Sequence, residues 1–242
     1  MATSLLLACD LNDQPEDSYI HLSEESDADG SFLISAILGQ RLRMQNSSVI
    51  LVCLQHTFTH YFNAGMRLGY NLNSFKDKNL YVIEPNLEMY SSLSSFKNLN
   101  ICSILQYVRE NIRNHLIIKT SKTIIIDNLE ILLNFGVCKE DLIKLPLSFC
   151  TKGSKVTTVA KLGNSNLFDA VNNFLVNASD LHIKIEPLKS GKFKEVDGKL
   201  IVNKATCECP FQIKTHEKHI LYKLVFNLNC VDIYFVHNSK ML

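Results

Sequence analysis

This chain of 242 residues lacks a large net charge, long apolar runs and a basic leader, and each absence argues against a class of protein. The net charge of +1 at pH 7 argues against a generally basic nucleic-acid-binding protein. No apolar run approaches the length of a membrane span, so no membrane partner is expected. The opening residues contain neither lysine nor arginine, which argues against a signal peptide.

Regularly spaced cysteines are lacking as well. Of the 8 cysteines, all stand singly except the pair Cys207 and Cys209, and several lie inside apolar runs. A reduced thiol packs in such a run as a small hydrophobic group. We therefore expect a reducing compartment, namely the cytoplasm, with the nucleus as a second location.

The first thirty residues lack any lysine or arginine and carry a series of carboxylates: Asp10, Asp13, Glu16, Asp17, Glu24, Glu25, Asp27 and Asp29. We predict a solvated or partner-facing acidic N-terminal arm over residues 1–18. The remaining residues, 19–242, suffice for one large α/β core, because 46% of the chain is hydrophobic and its length fits one domain.

A strand–loop–helix segment over residues 18–43 has the layout of a nucleotide-binding P-loop without its chemistry. A working loop supplies glycines, a lysine for the β/γ-phosphates and a hydroxyl for Mg²⁺. Aligned on Gly30, this chain has Glu25 at the first glycine, Ser31 at the lysine and Phe32 at the hydroxyl. We interpret this as a degenerate nucleotide site that binds no cofactor. An ordinary acidic loop before a helix is the alternative.

Two kinds of strand pattern follow one another along the chain. Short apolar runs without alternation occupy residues 49–54, 80–83, 123–126 and 156–159, which is typical of parallel strands covered on both faces. Helices are predicted between them at 30–43, 101–118, 128–135, 139–149 and 167–176. After residue 180 the apolar residues alternate, as at 181–185 and 231–235, which predicts antiparallel strands. Asp197-Gly198 is a hairpin turn signal, and 221–226 offers a further strand.

The predicted fold class is therefore α/β: a RecA-like core, mainly a parallel sheet flanked by helices, with a C-terminal antiparallel extension. Ile124-Ile-Ile-Asp127 has the form of the Walker B element, which places an aspartate near Mg²⁺ at the end of a strand. An aspartate that caps the following helix is the alternative for Asp127. Gln55, after the second strand, is not a general base, because a carboxamide takes up no proton at neutral pH.

Three ordered motifs resemble a known family. They are Asp29-Gly-Ser-Phe-Leu33, Val52-Cys-Leu-Gln-His-Thr-Phe-Thr-His-Tyr61 and Gly65-Met-Arg-Leu-Gly-Tyr-Asn-Leu72, and they are similar to the N-terminal signature of the sixth subunit of the Elongator complex. The resemblance is close over about residues 29–85 and loose after residue 140. It implies a RecA-like fold without ATPase motifs. No catalytic residue is expected either, because the chain has no G-x-S-x-G elbow and no local sign of an activated cysteine. The resemblance further implies a hetero-hexameric ring with Elongator subunits four and five that binds tRNA and helps the catalytic subcomplex modify the wobble uridine.

Other constellations are weaker. Cys207, Cys209, His216 and His219 are a conceivable zinc site, but the C-x-C spacing is tight and two antiparallel strands explain the region without metal. His56 and His60 lack the glutamate of the zinc-protease pattern, so packing at the strand end is expected. Lysines gather in the antiparallel region at positions 184, 189, 192, 194, 199 and 204, where interleaved carboxylates favour a solvated sheet face.

In RecA-like rings the loop after the strand that follows the Walker B region commonly faces the central pore. Here that loop is residues 161–166, with Lys161 and Asn164 as possible contacts to tRNA phosphate. The sequence thus predicts a non-catalytic ring subunit. A divergent nucleotide-binding ATPase and a stand-alone RNA-binding protein remain the alternatives.

Overall fold

The computed structural model describes residues 2–12, 14–85, 102–116, 121–151, 153–164, 167–188, 196–209, 212–227 and 230–236. The strands are β1 (Tyr19–Glu25), β2 (Ser47–Val52), β3 (Leu80–Ile83), β4 (Ser121–Ile126), β5 (Val156–Asn164), β6 (Leu181–Pro187), β7 (Gly198–Cys209), β8 (Gln212–Asn227) and β9 (Cys230–Val236). The helices are α1 (Ala2–Ala8), α2 (Ser31–Arg43), α3 (Phe58–Arg67), α4 (Cys102–Leu116), α5 (Glu130–Asn134), α6 (Lys139–Leu147) and α7 (Asp169–Asn177).

The strands form one nine-stranded sheet in the order β3-β2-β4-β5-β1-β6-β7-β8-β9. All neighbours from β3 to β6 pair in parallel, whereas β6 to β9 pair antiparallel. The predicted parallel core with an antiparallel C-terminal extension is confirmed. Strand β5 lies between β1 and β4. Because all three strands are parallel, the loops after them lie at the same edge of the sheet.

Helices cover both faces of the parallel core. One apolar cluster joins α1, α2 and α3 to the sheet, and the other joins α4 to α7 to the opposite face. Every residue of β2 is buried, which explains why its sequence shows no polar alternation. Within the described residues, no helix has the combination of length and apolar composition that crossing a membrane requires.

Helix α2 packs closely against the turn that follows α3 because Gly39 has no side chain. A Cβ atom at Gly39 would lie 2.5 Å from Cε1 of Tyr70, closer than two carbon atoms approach. The Tyr70 hydroxyl donates to the carbonyl of Ser35, one turn earlier on α2. Ser35 and Gly39, one helical turn apart on α2, thus face a buried aromatic ring, and close packing against this ring fixes the position of the helix.

The N-terminal arm differs from the prediction. Leu5, Leu6 and Leu11 are buried in the core cluster of α2, and the carboxylate of Asp10 pairs with Lys218 at 2.6 Å. The carboxylate of Asp17 accepts from the backbone N–H of Gly153 at 2.7 Å. The apolar residues of this segment therefore pack into the same core, and residues 2–12 are not a solvated arm.

Three local predictions in the C-terminal half are also corrected. The alternating strand β6 pairs antiparallel with β7 but parallel with β1, so it belongs to both parts of the sheet. Asp197-Gly198 is not a two-residue turn, because Pro187 already pairs with Gly198 at the start of β7. Strand β5 extends through Asn164, so the residues predicted to begin a loop at Lys161 are strand residues.

Candidate functional site

The degenerate P-loop segment is closed by one of its own carboxylates. Strand β1 ends at Glu25, and helix α2 begins directly after Gly30. Within this segment, Oε2 of Glu24 accepts the backbone N–H of Gly30 at 2.8 Å, where a working P-loop would offer N–H groups to phosphate. Oε1 of Glu24 accepts from the Lys161 ammonium on β5, also at 2.8 Å. The carboxylate of Glu24 thus accepts from both the Gly30 N–H and the Lys161 ammonium.

The predicted P-loop positions have other partners. Glu25 points to the side of the sheet opposite Glu24 and pairs with Lys184 at 2.7 Å. Ser31 donates its backbone N–H and its hydroxyl to Asp29, at 2.8 and 2.9 Å. Although burial opposes ionisation of Asp29, these two hydrogen bonds lower the pKa of its carboxyl overall. The ring of Phe32 packs on Tyr222 with 5.0 Å between centroids, where a magnesium-binding loop has a hydroxyl.

Gln55 links the Glu24–Lys161 pair to the loop after β4. Its Oε1 accepts from the Lys161 ammonium at 3.0 Å and from the side-chain amide of Asn128 at 3.1 Å. The carbonyl of the Asn128 side chain in turn accepts the backbone N–H of Glu130 at 2.9 Å, which starts helix α5. Gln55, Lys161 and Asn128 therefore satisfy one another, and Gln55 has a structural contact in place of a catalytic one.

Asp127 organises the neighbouring strand end. This buried carboxylate accepts the backbone N–H groups of Leu54, Gln55 and His56 at 2.7 to 3.1 Å, and the Tyr61 hydroxyl approaches at 3.4 Å. Burial raises the pKa of Asp127, while the three backbone hydrogen bonds oppose that rise. Asp127 thus lies at the strand end that its Walker-B-like sequence suggested. It caps the loop after β2, however, and not the helix that follows it in sequence.

His56 and His60 stack face to face beside this loop. Their ring centroids are 4.1 Å apart with 12° between the planes, and both rings meet Tyr61 edge-on. Burial lowers the pKa of His60, and the neighbouring His56 acts in the same direction. Across the described part of the chain, no group of three or more His, Cys, Asp or Glu side chains converges as metal ligands would. The side chains of Cys207 and Cys209 lie outside the described residues.

The position of Lys161 in the structure argues against the predicted contact with tRNA phosphate. Its side chain has no exposed surface, and its ammonium is bonded to Glu24 and Gln55. A phosphate outside the protein cannot reach a cation that is buried in the sheet, so Lys161 belongs to the closed site. Asn164 ends strand β5, and its side chain lies outside the described residues.

Space is limited at the closed site, by which we mean the Glu24 carboxylate with its donors Gly30 and Lys161. A Cβ atom at Gly30 would lie 3.0 Å from Cδ1 of Ile185 and 3.2 Å from Oε2 of Glu24. At Gly163 the added atom would meet the carboxylate of Glu130 at 2.5 Å. Side chains of β6 and α5 therefore converge on these two glycines, and among the described residues they narrow the space beside the P-loop-like segment.

The fold and this edge together define a RecA-like domain whose P-loop-like segment is bonded to the chain's own side chains. A KaiC-like protein from Pyrococcus horikoshii has the same fold, with a TM-score of 0.59 over 91% of this chain and 90% of that chain, at 12% sequence identity. Similarity at that identity concerns the fold alone.

The family model of Elongation complex protein 6 matches residues 3–225, and the chain belongs to this family. Elongator complex protein 6 of Drosophila melanogaster is 40% identical over 234 residues, which cover 93% of both chains. The Mus musculus protein of the same name is 27% identical over 221 residues, 78% of this chain and 80% of the mouse chain. The family suggested by the three sequence motifs is thereby confirmed.

Sequence reasoning missed the partnership of Glu24 and Lys161. Glu24 was noted only as one more acidic residue near the loop, and Lys161 as an exposed cation. One signal was available: Lys161 interrupts the apolar run Val-Ala-Lys-Leu of a central strand. A lysine at such a position is rarely buried without a partner, so a carboxylate close to it in the fold is expected.

Proposed function

We propose that this chain is a non-catalytic structural subunit of the Elongator complex. The observation that carries the proposal is the family match over residues 3–225, since it spans nearly the whole domain. In this role the chain joins Elongator subunits four and five in a hetero-hexameric ring that binds tRNA. The ring works beside the catalytic Elongator subcomplex and supports modification of the wobble uridine, U34. We place this activity in the cytoplasm and the nucleus.

The geometry of the closed site supports a role without nucleotide turnover. ATP hydrolysis needs phosphate donors, a magnesium ligand and a means of activating water. In this chain Gly30 N–H is bonded to Glu24, Phe32 packs on Tyr222, and Gln55 bridges Lys161 and Asn128. The groups nearest to the nucleotide position thus contribute to the stability of the fold, and a divergent ATPase is the weaker reading.

Exposed apolar side chains support an assembled state. Leu167 is 76% exposed, and Phe174, on the outer side of α7, is 52% exposed. Single exposed apolar groups are normal in a protein that works alone, but two of them seven positions apart offer a partner an apolar contact, and contiguous apolar patches are common where partners dock. A charge of +1 also predicts weak binding of the lone chain to a phosphate backbone, whereas a ring multiplies modest contacts.

Co-expression with Elongator subunits four and five tests the proposal. We expect the three chains to purify together as one particle with the mass of a hetero-hexamer, measured by native mass spectrometry. At the same ionic strength, that particle should bind tRNA more tightly than the lone chain does. A chain that remains a monomer in the presence of both subunits would contradict the ring assignment. Equal tRNA affinity of lone chain and particle would favour a stand-alone RNA-binding protein.

A further inference from the structure

We propose that Glu24 is a built-in plug: its carboxylate occupies a small oxyanion site made by the Gly30 N–H and the Lys161 ammonium, and the site binds an external oxyanion when that carboxylate is removed. The chain on this account has kept an anion-binding framework and has filled it from within. The inference concerns the isolated domain, so it does not depend on assembly with other subunits.

The geometry assigns one oxygen of Glu24 to each donor. Oε2 lies 2.8 Å from the backbone nitrogen of Gly30 at the start of α2, and Oε1 lies 2.8 Å from Nζ of Lys161 on β5. The two donors come from different elements and converge on one carboxylate. The start of a 13-residue helix adds its partial positive charge to that of the ammonium. Such a pair of donors binds any oxyanion of suitable size.

The burial of the Lys161 ammonium explains why this site needs a bound anion. The Lys161 side chain is entirely buried, and the Glu24 side chain is 12% exposed. Gln55 gives the ammonium one neutral acceptor but no compensating charge. Asp29 attracts the ammonium from a distance, but its two oxygens accept from Ser31, and the ion pair of Lys161 is made with Glu24. A buried ammonium that loses its ion-pair partner is strongly unfavourable, so loss of the Glu24 carboxylate leaves a cation that an external anion can bind.

The space left by the carboxylate decides which anion fits. Substitution of Glu24 by alanine removes one methylene and one carboxylate, which together correspond to acetate. Ile185 and the Lys161 stem lie close to Gly30 on the other sides, at 3.0 and 3.5 Å from an ideal Cβ. We therefore expect acetate to fit the opened site better than phosphate, which is larger and tetrahedral. Both share the oxyanion chemistry of the plug.

Glu25 offers a matched control on the same strand. It is adjacent to Glu24 in sequence, carries the same charge and pairs with Lys184. Its side chain is 35% exposed and projects from the opposite face of β1. Glu25→Ala therefore changes the net charge by the same amount without opening the site at Gly30.

The test measures melting temperatures of the full chain and of Glu24→Ala and Glu25→Ala in sodium acetate, sodium phosphate and sodium chloride at equal ionic strength. We expect acetate to raise the melting temperature of Glu24→Ala by about 3 °C or more over chloride, because an anion that binds the folded state stabilises it. The wild type and Glu25→Ala should melt at the same temperature in both salts. A Glu24→Ala response no larger than that of Glu25→Ala would overturn the proposal.

A double variant locates the anion and covers a folding failure. Glu24→Ala combined with Lys161→Met removes the buried cation together with the plug, and it should lose the acetate response. A response that persists in the double variant would place the anion elsewhere and refute the site. If Glu24→Ala folds only in acetate, circular dichroism records that recovery and supports the proposal. Failure to fold in every salt would overturn it, because acetate should restore the counter-ion.

Discussion

Protonation of His182 is expected to destabilise the domain in mild acid, and the structure gives the magnitude. His182 is 8% exposed and stacks on His21, with 5.7 Å between ring centroids. Its Nε2 is bonded to the Ser23 hydroxyl at 2.8 Å, while Nδ1 has no hydrogen-bond partner among the described residues. Burial first, then His21 and Lys184, lowers the pKa of His182 to about 3. Burial likewise lowers the pKa of His21 to about 4.

Stability falls in acid because the folded and the unfolded chain bind different numbers of protons. A histidine in the unfolded chain has a pKa of about 6.5, so below that pH the unfolded state binds more protons than the folded state. Stability is therefore complete above about pH 6.5 and falls as the pH drops towards the folded-state pKa. One pKa unit corresponds to about 1.4 kcal/mol, so each of these histidines removes about 2 kcal/mol between about pH 7 and pH 5.

The assay is urea unfolding at a series of pH values for the wild type and for His182→Gln, which retains an amide nitrogen near the position of Nε2. The variant should lose about 2 kcal/mol of the pH-dependent decrease in the free energy of unfolding, whatever its absolute stability. His216→Gln, which removes an exposed imidazole, is the matched control. An unchanged pH dependence in His182→Gln would refute the reasoning.

Three further predictions concern packing and the closed site. Gly39→Ala should lower the free energy of unfolding by about 1–3 kcal/mol, because its Cβ clashes with Tyr70, and the loss should shrink in a Tyr70→Leu background. Asp127→Ala leaves three backbone N–H groups without their acceptor and should cost about 3 kcal/mol or more, against little for the exposed Asp169→Ala. Lys161→Met should lower the urea midpoint of the lone chain while the tRNA affinity of the assembled particle stays unchanged, since the side chain is buried.

Each of the three has an outcome that would count against it. Equal losses for Gly39→Ala with and without the Tyr70 ring would remove the clash as the cause. A stability of Asp127→Ala equal to that of Asp169→Ala would mean that water replaces the cap. A marked loss of tRNA affinity in a folded Lys161→Met assembly would mean that Lys161 reaches phosphate after all.

Local patterns in the sequence predicted the elements that local forces determine. The β-branched and apolar run Leu80–Ile83 was predicted with the bounds that strand β3 has. The helix predicted at 30–43 begins one residue later, at Ser31. Both segments are apolar runs with polar residues at their ends, so propensity and packing favour the same structure.

Contacts between distant residues could not be predicted in this way. Lys161 and Glu24 are 137 positions apart, and Asp127 caps backbone groups 71 to 73 positions away. The charge and polarity of these side chains suggested solvent or a helix cap, because a single sequence shows only near neighbours. The fold brings the strand ends together at one edge, and burial there turns isolated polar residues into a network.

The histidines of β1 and β6 show the same limit for one element. Alternation along β6 correctly predicted a strand with His182 on the side opposite Ile183, and that side was expected to be solvated. Because β6 pairs in parallel with β1, His182 lies beside His21. Asn172 of α7 reaches this face and bonds His21 at 2.8 Å. The burial of His182 thus depends on which strand pairs with β6, and the alternation pattern of β6 carries no information about that partner.

The central claim is that the carboxyl edge of the sheet is closed to nucleotide by the chain itself. Calorimetric titration of the folded wild-type chain with Mg-ATP tests this most directly. We expect no saturable heat, because Glu24 holds the Gly30 N–H and the Lys161 ammonium and Phe32 replaces the magnesium ligand. A saturable interaction of micromolar affinity that Mg-ADP displaces and Lys161→Met abolishes would contradict it.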